Sequence, residues 1–287
     1  MEGGMSTALA VYHGTFGRAT LYKINRAMTT HAHREGHLTF FVQGTPSVVT
    51  ASDRSCRVDG GTASAVNPWQ PHNFQPGCLE DGTLFLVLYI KPIWFLEMGQ
   101  SAQTALRFGR DRILVTPTIH RLVQLVANLL LENEQSDLFD GYLYELTKEC
   151  FDQTWSWRPD ASPFDDEGAP FNQQWSGIRD YRVRNSIRLM KERLGLEQPL
   201  DGVARAAGLS RPHFYKLFRE HAGVTPNVYL NTLRMETAID QLTTSREAVT
   251  NIGLDLGFAS QASFTRFFTA NVGIPPTDYR RVAHRAM

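Results

Sequence analysis

The chain has 287 residues, an ordinary globular composition and a formal net charge of zero, which gives material for two domains with a core in each. Cys56, Cys78 and Cys150 are odd in number, far apart and form no CxxC pair, which argues against a disulfide framework and a cysteine zinc site. The longest apolar run, LFLVLYI at 84–90, is too short to cross a bilayer, and the first residues show no basic region followed by an apolar stretch, so a cytoplasmic protein with no membrane partner is expected. The zero net charge conceals a division. Residues 178–287 hold 16 Lys and Arg against 10 Asp and Glu, whereas residues 1–177 hold 13 against 19. A small basic half is the electrostatic footprint expected for a polyanion.

From about residue 10 to 112, short apolar runs such as HLTFFVQG, SVVT and LFLVLYI are separated by Gly, Pro, Asn and Asp, the pattern of a compact all-β sandwich or barrel. Two stretches within it are rich in histidine: THAHREGH supplies His31, His33 and His37, and NPWQPHNF supplies His72. Residues two apart on a strand face the same side, so His31 and His33 would point together and His72 would join them from a neighbouring strand. Such a cluster could hold a divalent Zn, Ni or Fe ion. The expectation, however, is that it lines an organic effector pocket, with Trp69, Phe74 and Tyr89 as apolar walls, rather than holding a metal. At Pro117 the period changes: Ile119, Leu122, Val123, Val126, Leu129 and Leu130 recur at helical spacing. A second helix over 138–155 places Leu138, Tyr142, Leu146 and Cys150 on one face, giving a hairpin over 113–156. The stripe Leu122, Val126 and Leu129 must be buried, either on its own barrel or against a second copy, and a homodimer through it is the expectation. Residues 157–177 are rich in Pro, Asp and Gly without period and read as a linker.

The remaining residues, 178–287, read as helical and contain a repeat. GVTPNVY at 223–229 and GIPPTDY at 273–279 share glycine, proline and tyrosine at a constant offset, which extends upstream to Phe214 and Phe264, Leu217 and Phe267, and Phe218 and Phe268. One residue fewer separates VARAAGL from IGLDLGF further upstream. The repeated unit is a helix-turn-helix: a short helix, a turn at Gly208 or Gly257, and a second helix opened by Ser210 or Ser260. The second helices project Arg211, His213, Lys216 and Arg219 in one copy, and Gln261, Ala262, Thr265 and Arg266 in the other. Arg and Lys suit guanine edges, Gln suits adenine, and the methyls of Ala and Thr suit thymine. Arg280 and Arg281 add cationic charge for phosphates. About 17 helical residues join the copies, a rod of roughly 26 Å that would hold the two reading helices about one DNA turn apart.

The stretch LGFASQASFTRFFTANVGIPPTDYR at 256–280 resembles the signature of AraC/XylS-type bacterial transcription regulators, and the resemblance extends over about 183–281. It implies sequence-specific binding to double-stranded promoter DNA, usually as an activator that works with RNA polymerase, while an N-terminal domain senses a small-molecule effector and dimerises. Gly253 stands where the family usually has alanine, which is expected to loosen that helix. The segment from His31 also resembles the opening motif of a cupin barrel, HxH with a third ligand position four residues later and Gly44 beyond it, but His37 replaces the usual glutamate. Regulators of this family often keep such histidines without metal. The expected fold is α+β in two domains: a cupin-like β-barrel over 1–112, the helical dimerisation hairpin over 113–156, and a C-terminal all-α double helix-turn-helix over 178–287. The expected function is ligand-responsive regulation without enzymatic activity. The rival is a metal-dependent cupin enzyme, or a metal sensor, fused to a DNA-binding domain.

Overall fold

The computed structural model describes residues 6–14, 16–78, 80, 82–91, 107–132, 137–155, 180–192, 194–195 and 200–283; the expected linker at 157–177 lies outside them. Ten strands come first: β1 Thr7–His13, β2 Gly17–Ile24, β3 Met28–His31, β4 Gly36–Gln43, β5 Ser47–Ala51, β6 Arg54–Val58, β7 Thr62–Val66, β8 His72–Gln75, β9 Thr83–Ile90 and β10 Arg112–Leu114. They form a six-stranded sheet in the order β1-β2-β9-β4-β7-β10 and a four-stranded sheet in the order β3-β8-β5-β6. Neighbours pair antiparallel. The sheets pack on each other through contacts such as Phe74 against Phe85, with ring centroids 5.3 Å apart. β10 belongs to the large sheet, so the β domain runs past residue 112.

The continuous apolar texture of LFLVLYI has a simple cause: the large sheet is covered on both faces. Leu86, Leu88 and Ile90 of β9 point to one core together with Leu21, Leu38 and Phe40. Phe85, Val87 and Tyr89 point to the other, toward the small sheet. The first face is covered by the helical hairpin, α1 (Pro117–Glu132) and α2 (Asp137–Trp155). Here the expectation for the stripe is corrected. Leu122 and Val126 are buried against the chain's own sheet and Leu129 packs beside them half-buried, because the sheet's outer face is itself apolar and adjacent in the chain. Leu122 and Val126 are not available to a second copy. Tyr142, Leu146 and Cys150 of α2 join the same core, as the helical spacing indicates, whereas the side chain of Leu138 is outside the description.

The C-terminal region holds α3 (Tyr181–Glu192), α4 (Leu200–Ala206), α5 (Arg211–Ala222), α6 (Pro226–Thr244), α7 (Val249–Asp255), α8 (Gln261–Val272) and α9 (Pro276–Ala283). The repeat is real in three dimensions. α4 and α5 form one helix-turn-helix and α7 and α8 the other. Their turns pass through Gly208 at φ +70° and Gly257 at φ +80°, a region that favours glycine. The copies are capped differently: Ser260 and Ser263 form a capping box on α8, while Ser210 makes no side-chain capping bond on α5, whose first turn carries Pro212 instead. The first unit has its own core around Phe214, Phe218 and Leu233. The second does not stand alone: Phe264, Phe268 and Tyr279 are continuous with Tyr22, Val87 and Tyr89 of the β domain.

Gly253 is not a loosening. A Cβ at this position would lie 2.8 Å from the Cβ of Phe264, so its absence is what lets α7 approach α8. Gly253→Ala gains about 1 kcal/mol of helix propensity but overpacks a buried contact, which typically costs about 1–3 kcal/mol. We expect a net loss of stability in denaturant unfolding of the full chain; a more stable variant would show that the helices have room to separate.

Candidate functional site

The two sheets bring together the histidines that the sequence places apart. His31 on β3 pairs with His72 on β8, and His37 on β4 pairs with Tyr89 on β9 across the facing sheet. All four rings are buried. Ring centroids are 4.3 Å apart for His31 and His72, 4.6 Å for His37 and His72, and 4.8 Å for His31 and His33. The ligand nitrogens of His31, His33 and His72 lie within 4.8 Å of one another. His31 Nδ1 is 2.6 Å from the carbonyl oxygen of Thr29, and His72 Nδ1 is 2.8 Å from that of Gln70. A carbonyl only accepts, so both Nδ1 atoms carry the proton and leave the Nε2 lone pair unprotonated. Burial pushes every one of these imidazoles below the usual histidine pKa, His37 down to about 3, so they are neutral at pH 7. The other walls are apolar or uncharged, with Met28, Val49, Phe74, Phe85 and Val87 among them, and no carboxylate among the described residues lines the cavity.

Trp69, expected in this pocket, is elsewhere. It stacks on Tyr229 of α6, with centroids 4.7 Å apart and planes 3° from parallel. That contact is one of several that clasp the helical region to the β domain beside the histidines. The Arg18 guanidinium of β2 lies 3.8 Å from the centre of the Tyr89 ring and donates to the Tyr279 hydroxyl of α9 at 2.8 Å. Thr232 donates to the Ala32 carbonyl at 3.0 Å, and Arg34 pairs with Glu236 at 2.6 Å. The segment 31–34 therefore works on two sides. Its odd side chains, His31 and His33, enter the cluster, while Ala32 and Arg34 hold α6. Arg18, Arg34, Thr232 and Glu236 were absent from the sequence-based site. A lone arginine in the strand GRATLYKI carries no local sign that it will be buried against two tyrosines.

The reading face is presented to solvent. On α5, Arg211, His213, Lys216 and Arg219 are exposed; on α8, Gln261, Ala262 and Arg266 are exposed and Thr265 is half-buried. Ser210 and Ser260 are exposed at the helix starts. Their present partners are weak or local: Arg211 is 3.3 Å from Asp201, Lys216 is 3.9 Å from Glu220, and Gln261 accepts from Thr250 at 2.6 Å. Arg280 is different. It is half-buried and donates to the Glu247 carbonyl at 2.6 Å, which ties α9 back to the start of α7. Arg281 is exposed and suits a phosphate.

Two helices with exposed polar and cationic side chains on a duplicated helix-turn-helix, joined by a single helix and docked on a β domain with an internal pocket, define a DNA-binding regulator. A family profile described as a helix-turn-helix domain matches residues 203–282. The transposon Tn10 TetD protein of Escherichia coli is 37% identical over 99 residues, covering 34% of this chain and 72% of that protein. The probable transcriptional regulator LumQ of Photobacterium leiognathi is 22% identical over 257 residues, covering 90% and 94%. Other curated regulators match over about a third of their length. A structure of unsaturated fatty acid bound ToxT from Vibrio cholerae superposes with a TM-score of 0.54 at 14% identity, covering 94% of this chain and 96% of that one. The chain belongs to the AraC/XylS family of transcriptional regulators.

Within the cluster, His31 and His72 are hydrogen-bonded but His37 is placed at a cost to stability. His37 Nδ1 is buried without a hydrogen-bond partner, and an unsatisfied buried polar atom costs about 1–3 kcal/mol. His37→Leu should raise the melting temperature by a few degrees; a lowered one would show that the imidazole supports the fold.

Proposed function

We propose that the protein is a transcriptional activator whose N-terminal pocket takes a small effector and whose occupancy alters how the DNA-reading domain is held. The observation that carries this reading is Tyr89. Its ring borders His33 and His37 in the pocket, at 5.3 and 5.5 Å between centroids, and supports the Arg18 that reaches Tyr279. A ligand in the pocket thus acts within two contacts of the helical domain. ToxT, which shares the overall fold, has been seen with an unsaturated fatty acid bound, which supports a small-molecule effector for this chain. Proteins matched over most of their length include regulators, which favours regulation over a metal-dependent enzyme. RNA polymerase is the further partner that activation requires.

Phosphate contacts position such a protein and base contacts specify its site. Once preferred duplexes have been selected from a random pool, Arg211→Ala and Gln261→Ala should each lower discrimination at one base pair by about 1–3 kcal/mol. Arg281→Ala should weaken all sequences alike and make the salt slope shallower by about 1. Were the first two variants to bind every duplex as the parent does, α5 and α8 would not be the reading helices.

A homodimer, if formed by the hairpin, must use its outer side, because Leu122 and Val126 are covered. Leu131 on α1 and Tyr144 on α2 are large apolar side chains left 52% and 46% exposed there. Sedimentation of Leu131→Glu with Tyr144→Glu should give folded monomers; an unchanged dimer would place the interface on another face.

A further inference from the structure

We infer that His31, His33 and His72, with His37 as a fourth donor, bind one late first-row divalent ion of the Ni²⁺, Cu²⁺ or Zn²⁺ class, and that filling this site opposes the Arg18–Tyr279 contact. The inference rests on the pocket being the effector site and names its ligand. The donor set is the first argument. Imidazole nitrogens suit these ions, whereas Mg²⁺ and Ca²⁺ favour carboxylate-rich oxygen sets, and the oxygens of this lining are the hydroxyls of Tyr22, Thr39 and Tyr89 and the amide of Asn73. The backbone carbonyls of Thr29 and Gln70 fix the tautomers of His31 and His72, as outer partners do for ligating histidines. Nitrogens sharing one tetrahedral ion lie roughly 3.3 Å apart, given bonds of about 2.0–2.1 Å. The three that now lie within 4.8 Å of one another need draw together by only about 1.5 Å at most.

Size is the second argument. The cavity has a volume of about 30 Å³. That admits roughly two waters, or an ion with a small ligand, and a bulky organic molecule would need the walls to part.

The third argument is where the site's motion and charge go. Drawing in His31 and His33 pulls on Ala32 and Arg34 between and beside them, whose partners are Thr232 and Glu236 of α6. Trp69 follows, since its N–H donates to the His33 carbonyl at 2.7 Å. Trp69 also holds φ +62°, a conformation rare for a bulky residue and set by these neighbours. An added divalent charge also faces the Arg18 cation across the ring of Tyr89; Glu35, whose charge acts on Arg18, Tyr89 and Tyr279, is not part of the cavity lining. The repulsion favours withdrawal of Arg18 from Tyr279. Tyr279 is the tyrosine of the second repeat and Tyr229 that of the first, so the β domain grips both copies at equivalent positions beside the one cluster.

The test uses the full untagged chain, stripped of metal by chelation and titrated calorimetrically with Zn²⁺, Ni²⁺, Cu²⁺ and, as a hard-ion control, Mg²⁺. We expect one late ion per chain and no Mg²⁺ binding. His33→Phe, which keeps a ring in the packing, and His72→Ala should each weaken binding at least tenfold while circular dichroism of the metal-free protein stays like the parent's. Tyr279→Phe removes only the hydroxyl that the ion works against. By the reciprocity of linkage it should bind the ion roughly fivefold more tightly. Folded parent that binds none of the three ions, or His33→Phe and His72→Ala that bind as the parent does, would overturn the site. Equal affinity in Tyr279→Phe would overturn the coupling. A melting shift caused by a metabolite in metal-free protein, and abolished in His33→Phe, would keep the pocket as the effector site while removing the ion as its ligand. The DNA selection reads the other end of the molecule and stands or falls independently.

Discussion

Along β9 the side chains alternate between two apolar environments, and most of the molecule follows from that alternation. A strand turns successive residues to opposite faces, so a sheet buried on both sides must satisfy two cores at once. Leu86, Leu88 and Ile90 are covered by the chain's own helical hairpin. Phe85, Val87 and Tyr89 face the small sheet, and with them come His37 and Thr39 of β4. The hairpin is thereby consumed as a lid for the sheet. The pocket occupies the inner face, where the polar residues cluster in an otherwise apolar space.

The same inner core runs on into the second helix-turn-helix. Phe268 and Tyr279 pack with each other, with centroids 5.7 Å apart, and share a core with Tyr22 and Tyr89. The first unit packs its equivalents Phe218 and Tyr229 in nearly the same way, 5.4 Å apart, but meets the β domain through the stacked Trp69. Duplication thus supplies two similar handles, and the β domain grips them by different chemistry: one by a buried cation and a hydroxyl, the other by stacked rings. Of the two, the Arg18 contact is the more responsive to charge. It sits in a region of low polarity where electrostatic interactions are screened least.

Much of this was legible along the chain because it depends on local period and on residue type. The offset between GVTPNVY and GIPPTDY, the turn glycines and the apolar triplets locate both helix-turn-helix units, and apart from the half-buried Thr265 the positions that helical spacing turns outward on α5 and α8 are exposed. The pairing of His31 and His33 on one side follows from the strand period, and the joining of His72 from its place in a neighbouring strand. Gly253 was legible as an anomaly but its meaning was not, since only the position of Phe264 explains why a Cβ does not fit.

What the sequence by itself determined is the repeat, its two helix-turn-helix units, the polar side chains that α5 and α8 turn outward and the histidine cluster, all of which rest on periodicity and on side-chain type over short spans. What only the tertiary structure decided is which surfaces meet. Helical spacing shows that Leu122 and Val126 must be buried but not against what, and the answer depends on a sheet face formed by strands far apart in the chain. Trp69 carries the same composition cue whether it lines a pocket or stacks on a helix. Arg18 and Tyr279 are separated by 261 positions and carry no shared local signal, yet a 2.8 Å hydrogen bond between them joins the pocket to the reading domain. Contacts of that kind are set by how whole layers stack, and no local pattern encodes them.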